Sequence, residues 1–168
     1  MNNSRNNEGT DLMTDVIFEN SRFDPDLTPF HELAKQMAKE FGYTADLKLD
    51  RKLAQMLRLR VAQKNACSYC LILHSQASRD QGVETAKADG LGAWRESNLY
   101  SDAEKAALAY CDALTDGDPL GFQEIHDGTR RYFSESEIAE IAAIVINMNV
   151  WTRLKLAQGA TPAYAKSE

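Results

Sequence analysis

The chain has 168 residues, 43% hydrophobic and 26% charged, which suits one globular domain with a sizeable core. Its net charge of −6 argues against a general nucleic-acid binder, which carries a basic field. No apolar run reaches the ~18 residues of a membrane-spanning helix, and the Asn-rich stretch Met1 to Thr10 has no secretory apolar core. No membrane partner is therefore expected, and a reducing, cytoplasmic setting is.

Residues 1–22 read as a flexible polar tail, and residues 23–168 as a single helical domain. Thr28-Pro29 opens a first helix that Gly42 closes, with Phe30, Leu33, Met37 and Phe41 at helical spacing. A second helical stretch carries Leu53, Met56, Leu57 and Val61 as a stripe. Arg51, Lys52, Arg58, Arg60 and Lys64 in this region read as a solvated or ion-paired helix face. A cysteine-bearing helix follows and ends near Gly82. A short one covers Glu84 to Trp94. Ser101-Asp102-Ala103-Glu104 is a capping box that starts a helix stopped at Asp116-Gly117-Asp118-Pro119. Another short helix is expected from Phe122 to Arg131. Ser134 and Glu137 form a second capping box, opening the longest helix, to about Gln158. Between Ile138 and Ile146 only Glu140 is polar, so this helix should be enclosed on several sides, in the core centre or at a subunit interface. No segment alternates with period two. The expected class is all-α, a bundle of about six to seven helices around one core.

Chemistry concentrates in one run. Cys67 and Cys70, with His74 a turn further on, have the spacing C-x-x-C-x-x-x-H, which places all three on one helical face. A Cys-x-x-Cys pair can close a small disulfide, and a nearby base or helix N-terminus helps to form the reactive thiolate. Attack of a thiolate on a peroxide gives a sulfenic acid, which a second thiol converts to a disulfide. Cys70, nearer His74, is the expected attacking sulfur and Cys67 the resolving one. Tyr69 and Asn149 are candidate site neighbours. A structural zinc site wants a fourth ligand, from Cys111 or a carboxylate, and no second Cys/His pair is present. Haem attachment needs His directly after the second Cys, where Leu71 stands. A thioredoxin-like site needs a preceding strand. An inert buried pair is the plainest alternative. Cys111 beside an alanine stripe reads as core. His31 and His126 read as surface or capping groups, and Trp94 and Trp151 as core or interface anchors.

The run from Leu57 to Cys70, followed by His74, resembles the core of the carboxymuconolactone decarboxylase family, and more closely its alkylhydroperoxidase D-like branch. Ala93 to Ser97, Ser101 to Ala109 and Asn149 to Leu154 add matches in the right order, so the resemblance covers about Leu47 to Ala157. It implies an all-helical fold assembling as homotrimers or hexamers. It also implies peroxide reduction through Cys67, Cys70 and His74, an external thiol electron donor, and no metal or organic cofactor. True decarboxylases of the family lack the cysteine pair. One position departs from the pattern: the relay glutamate, twelve residues before the first cysteine, is Gln55 here. Glutamine exchanges hydrogen bonds but is no carboxylate base. Glu32 and Glu40 are candidate substitutes. The other functions left open are a redox-sensing module whose pair forms a switch disulfide, and a lyase acting on a small lactone or acid.

Overall fold

The computed structural model describes residues 16–165. Seven α-helices account for most of these: α1 Phe30–Phe41, α2 Arg51–Lys64, α3 Ser68–Asp80, α4 Thr85–Gly90, α5 Asp102–Asp116, α6 Phe122–Thr129 and α7 Glu135–Gln158. Both predicted capping boxes form, at Ser101 with Glu104 and at Ser134 with Glu137. Gly117 and Gly159 close α5 and α7 in the left-handed region, at φ 69° each. Among the described residues no helix is long and apolar enough to cross a membrane.

The centre of the bundle is α2, not α7. Every residue from Leu53 to Ala62 is buried, including Gln55, Arg58 and Arg60, and α3, α5 and α7 pack around it. The full burial of Met56, Leu57, Leu59 and Val61 contributes roughly 1.5–3 kcal/mol per side chain. The three polar side chains must find partners there. Two members of the predicted basic face are thus interior groups. Arg58 donates to the carbonyls of Phe41 and Gly42 at the end of α1, and Arg60 pairs with Asp112 of α5. Lys52 and Lys64 do make surface ion pairs, with Glu84 and Asp116. By contrast α7 buries Ile141, Ile144, Val145 and Met148 but leaves Ile146 48% exposed.

A two-stranded antiparallel sheet adds to the helices. β1, Val16–Asn20, pairs with β2, Ala160–Tyr164, from Val16 opposite Tyr164 to Asn20 opposite Ala160. The reading of 1–22 as a flexible tail is therefore corrected for residues 16–22, while residues 1–15 lie outside the described chain. Ser21 N–H and Arg22 N–H donate to the carbonyls of Gly159 and Gln158, continuing the join. A Cβ on Gly159 would collide with the Ser21 hydroxyl, a second reason for glycine there. The ribbon matters for the site because it sets the Phe18 ring against Tyr69, with centroids 4.5 Å apart.

Candidate active site

The turn between α2 and α3 builds the cysteine pair. Ala66 stands at φ 49°, a left-handed conformation that costs a non-glycine residue about 1–2 kcal/mol. The preceding side chain holds this turn down: Asn65 Nδ2 donates to Asn149 Oδ1 at 2.9 Å and to Thr152 Oγ1 at 2.8 Å. The chain then enters α3 with Cys67 as its N-cap. The Cys67 sulfur accepts the Cys70 backbone N–H at 3.4 Å, and the two sulfurs are 2.8 Å apart. Both thiols are free and buried.

The two sulfurs titrate as a pair. The Cys70 thiol, hydrogen-bonded to the Cys67 sulfur, pulls Cys67 down to about 7 against the opposing effect of burial; the Cys70 N–H and the Lys155 ammonium assist. The same hydrogen bond, then burial, then the Cys67 charge, push Cys70 well above the usual thiol range. Near neutral pH the pair therefore shares one proton, with the negative charge on Cys67 and the proton on Cys70. The N-cap position adds to this, because the Cys70 backbone N–H also points at the Cys67 sulfur.

His74 lies one turn along α3, buried, with its carbonyl accepting the Ser78 hydroxyl at 2.7 Å. Its Nδ1 is 2.9 Å from Gln55 Nε2 of α2. Burial, reinforced by the Arg58 charge, lowers its pKa to about 3, so the imidazole is neutral at physiological pH. Cys70 and His74 open on a cavity of about 230 Å³ walled by Tyr43, Tyr69, Leu73, Met148 and Trp151. Arg58 and Lys155 are the cations of its lining, which holds no Asp or Glu. The Lys155 ammonium lies over the Tyr69 ring at 4.5 Å and near the Trp151 ring at 5.6 Å.

Cys70 and His74 thus line one cavity, with Cys67 against Cys70 and Gln55 against His74 behind them, and Tyr69 forms part of the wall. Asn149 does not reach this cavity. It faces a larger cleft of about 720 Å³ with Phe30, Ile146 and Val150, because its amide is engaged with Thr115 and the Val145 carbonyl. Its neighbour on the site face is Asn147. Glu32 pairs with Lys35 at the surface and Glu40 is exposed; neither lines the cavity. Cys111 is fully buried in the core, where burial raises its pKa to about 12. Tyr43, Arg58 and Lys155 are site residues that sequence reasoning missed. The i, i+4 ladder Asn147–Trp151–Lys155 on α7 was the available signal for Lys155. Among the described residues, no three His, Cys, Asp or Glu side chains gather as a metal site.

Residues 31–113 match the family model described as the carboxymuconolactone decarboxylase family, a span that holds Gln55, Cys67, Cys70 and His74 together. The chain belongs to that family. The chain is 28% identical over 118 residues to the uncharacterized protein YdfG of Bacillus subtilis, covering 70% of this chain and 80% of YdfG. The fold is that of alkylhydroperoxidase D-like proteins. A structure from Agrobacterium tumefaciens, of unknown function and a candidate antioxidant defence protein AhpD, superposes with a TM-score of 0.76 at 23% identity, over 88% of this chain and 99% of that one. The debrominase Bmp8 superposes with a TM-score of 0.68 at 25% identity, over 82% and 71%. A Cys→Ala variant of Bmp8 has been solved with 2,3,4-tribromopyrrole bound. For this member of the family, the glutamate that the redox branch leads one to expect is replaced by a glutamine seated on the histidine.

Proposed function

We propose that the protein is a thiol-dependent peroxidase that reduces small organic hydroperoxides through Cys70 and Cys67. The observation that carries this reading is the 2.8 Å contact of the two sulfurs, with Cys70 opening on the aromatic cavity. The Cys67 thiolate takes the Cys70 proton across this contact. The Cys70 thiolate attacks the distal oxygen of the hydroperoxide and the O–O bond breaks, leaving a Cys70 sulfenic acid and an alkoxide. The alkoxide takes the proton held on Cys67. The Cys67 thiolate then displaces hydroxide from Cys70, giving the disulfide. An external dithiol returns the two electrons by thiol–disulfide exchange. Cys67 thus serves as both local base and resolving thiol, a division that needs no carboxylate at position 55.

The test is consumption of cumene hydroperoxide with dihydrolipoamide as reductant. The rate is expected to rise with pH through about 7, as the pair loses its first proton and thiolate accumulates. Turnover no faster than dithiol alone, with a reversible Cys67–Cys70 disulfide still forming, would instead favour a redox switch. A second reading, reductive removal of a halide from a small ring, is favoured by the aromatic walls and by the likeness to Bmp8. There the dithiol supplies two electrons and a proton, the ring gains hydrogen, halide leaves, and the disulfide forms. Halide release from a brominated pyrrole without peroxide turnover would select it.

The apolar cleft of Phe30, Ile146, Val150 and Leu154 supports assembly of the chain with copies of itself as a homotrimer or hexamer. Ile146→Glu is expected to lower the mass measured by light scattering to that of a smaller species. An unchanged mass would exclude this cleft as the contact.

A further inference from the structure

Gln55 has one donating and one accepting end, and its neighbours fix which is which. The amide nitrogen lies 3.3 Å from the main-chain oxygen of His74, a group that only accepts. The amide oxygen lies 3.4 Å from Nη1 of Arg58, a group that only donates. Turning the amide over would set its NH2 against a guanidinium and its oxygen against a carbonyl oxygen, losing both contacts. Arg58 is itself anchored, since its other terminal nitrogen bonds the Phe41 and Gly42 carbonyls at 3.1 and 2.8 Å.

That orientation decides the state of the imidazole. The same amide nitrogen stands 2.9 Å from His74 Nδ1, so Nδ1 must offer its lone pair. The ring proton is then on Nε2, which has no hydrogen-bond partner among the described residues and belongs to a side chain lining the cysteine cavity. We infer that Arg58 is a positioning residue which, through Gln55, locks His74 as the Nε2–H tautomer, so that the ring faces the cavity as a fixed hydrogen-bond donor. A carboxylate at position 55 would do the reverse. It would accept from Nδ1–H and leave Nε2 free to take a proton from a thiol. In this chain the polarity of the relay is inverted: His74 stabilises negative charge on sulfur or on a leaving oxygen but accepts no proton. Burial and the Arg58 charge on its Gln55 side favour the neutral ring, and the titratable groups that share its cavity are Lys155, Tyr43, Tyr69 and Cys70.

The tautomer stands on geometry alone; its effect on rate rests on the peroxidase reading. The experiment is long-range nitrogen–proton NMR of the reduced full-length protein, with His31→Gln and His126→Gln assigning the other two ring systems. The wild type is expected to show a protonated Nε2 and a bare Nδ1 on His74, unchanged from pH 6 to 8. Gln55→Glu should move the proton to Nδ1. Arg58→Met should give a mixture, and Arg58→Lys, which keeps a donor, should retain Nε2–H. A wild-type Nδ1–H, or a tautomer indifferent to Arg58→Met, overturns the proposal. In the peroxide assay at pH 6, Gln55→Glu should raise kcat/KM about a hundredfold by restoring a general base. No peroxide turnover in either protein would defeat the peroxidase reading and leave the tautomer result standing.

Discussion

Cys70→Ser is expected to reduce peroxide turnover by about 10³-fold or more, while Cys67→Ser traps a sulfenic acid on Cys70. The first effect follows from position. Of the two sulfurs, Cys70 is the one on the cavity wall, and a serine hydroxyl there, far from deprotonation at neutral pH, is no nucleophile for an O–O bond. The second follows from coupling. What holds the proton on Cys70 is chiefly the neighbouring Cys67 sulfur. Removing that sulfur lets the Cys70 thiol ionise closer to the ordinary thiol range of about 8.5, so attack still occurs at alkaline pH. Nothing then displaces the sulfenic acid, and dimedone should label Cys70 stoichiometrically after one equivalent of peroxide. Labelling confined to Cys67 in the Cys70→Ser protein, at wild-type rate, would reverse the two roles. Cys67 carries the charge at rest, so the assignment depends on proton transfer across 2.8 Å being faster than attack.

The helices and their ends were legible because their determinants are local. Ser101 with Glu104 and Ser134 with Glu137 are three residues apart, and each box forms. The cysteine–histidine face was legible for the same reason, since Cys67, Cys70 and His74 lie within about two helical turns of chain. What failed to show in the sequence is held by long-range contacts. The β1–β2 ribbon joins residues about 140 positions apart, and Pro162 inside β2 removes the local strand signal. Arg58 looks like a surface cation in a basic stretch, and only the packing of the end of α1 onto α2 turns it inward. The role of Gln55 was visible as a departure from a pattern, but its orientation needed the His74 carbonyl and Arg58 on either side of it. Similarly, α7 reads as more apolar than α2, yet α2 is the enclosed helix because its charges are satisfied inside.

That inner satisfaction makes Asp112 a sensitive position for stability. Its carboxylate, 3% exposed, accepts from Arg60 Nε at 2.7 Å and Nη2 at 3.0 Å, from Arg95 at 2.8 Å and from Trp94 Nε1 at 3.3 Å. Burial alone would raise the Asp112 pKa, but the Arg60 hydrogen bonds and charge, aided by Lys64 and Arg95, outweigh it and hold the group below the usual carboxylate range. Arg95 is 63% exposed, so its part is screened and small. Asp112→Asn keeps the shape and removes the charge, leaving Arg60 uncompensated between α2 and α5. The expected loss is about 3–5 kcal/mol in urea unfolding at pH 7. Replacing both partners, Arg60→Met with Asp112→Leu, should recover most of it, because no charge is then left buried alone. The sign with pH is set by the lowered folded pKa. The contribution is complete above the unfolded value of about 3.9 and is lost as pH falls through the lower folded value. Wild type and Asp112→Asn should therefore converge in stability only as pH drops below about 4. A variant within 1 kcal/mol of wild type at pH 7 would mean that the Asp112–Arg60 pair, despite its geometry, does not hold the two helices together.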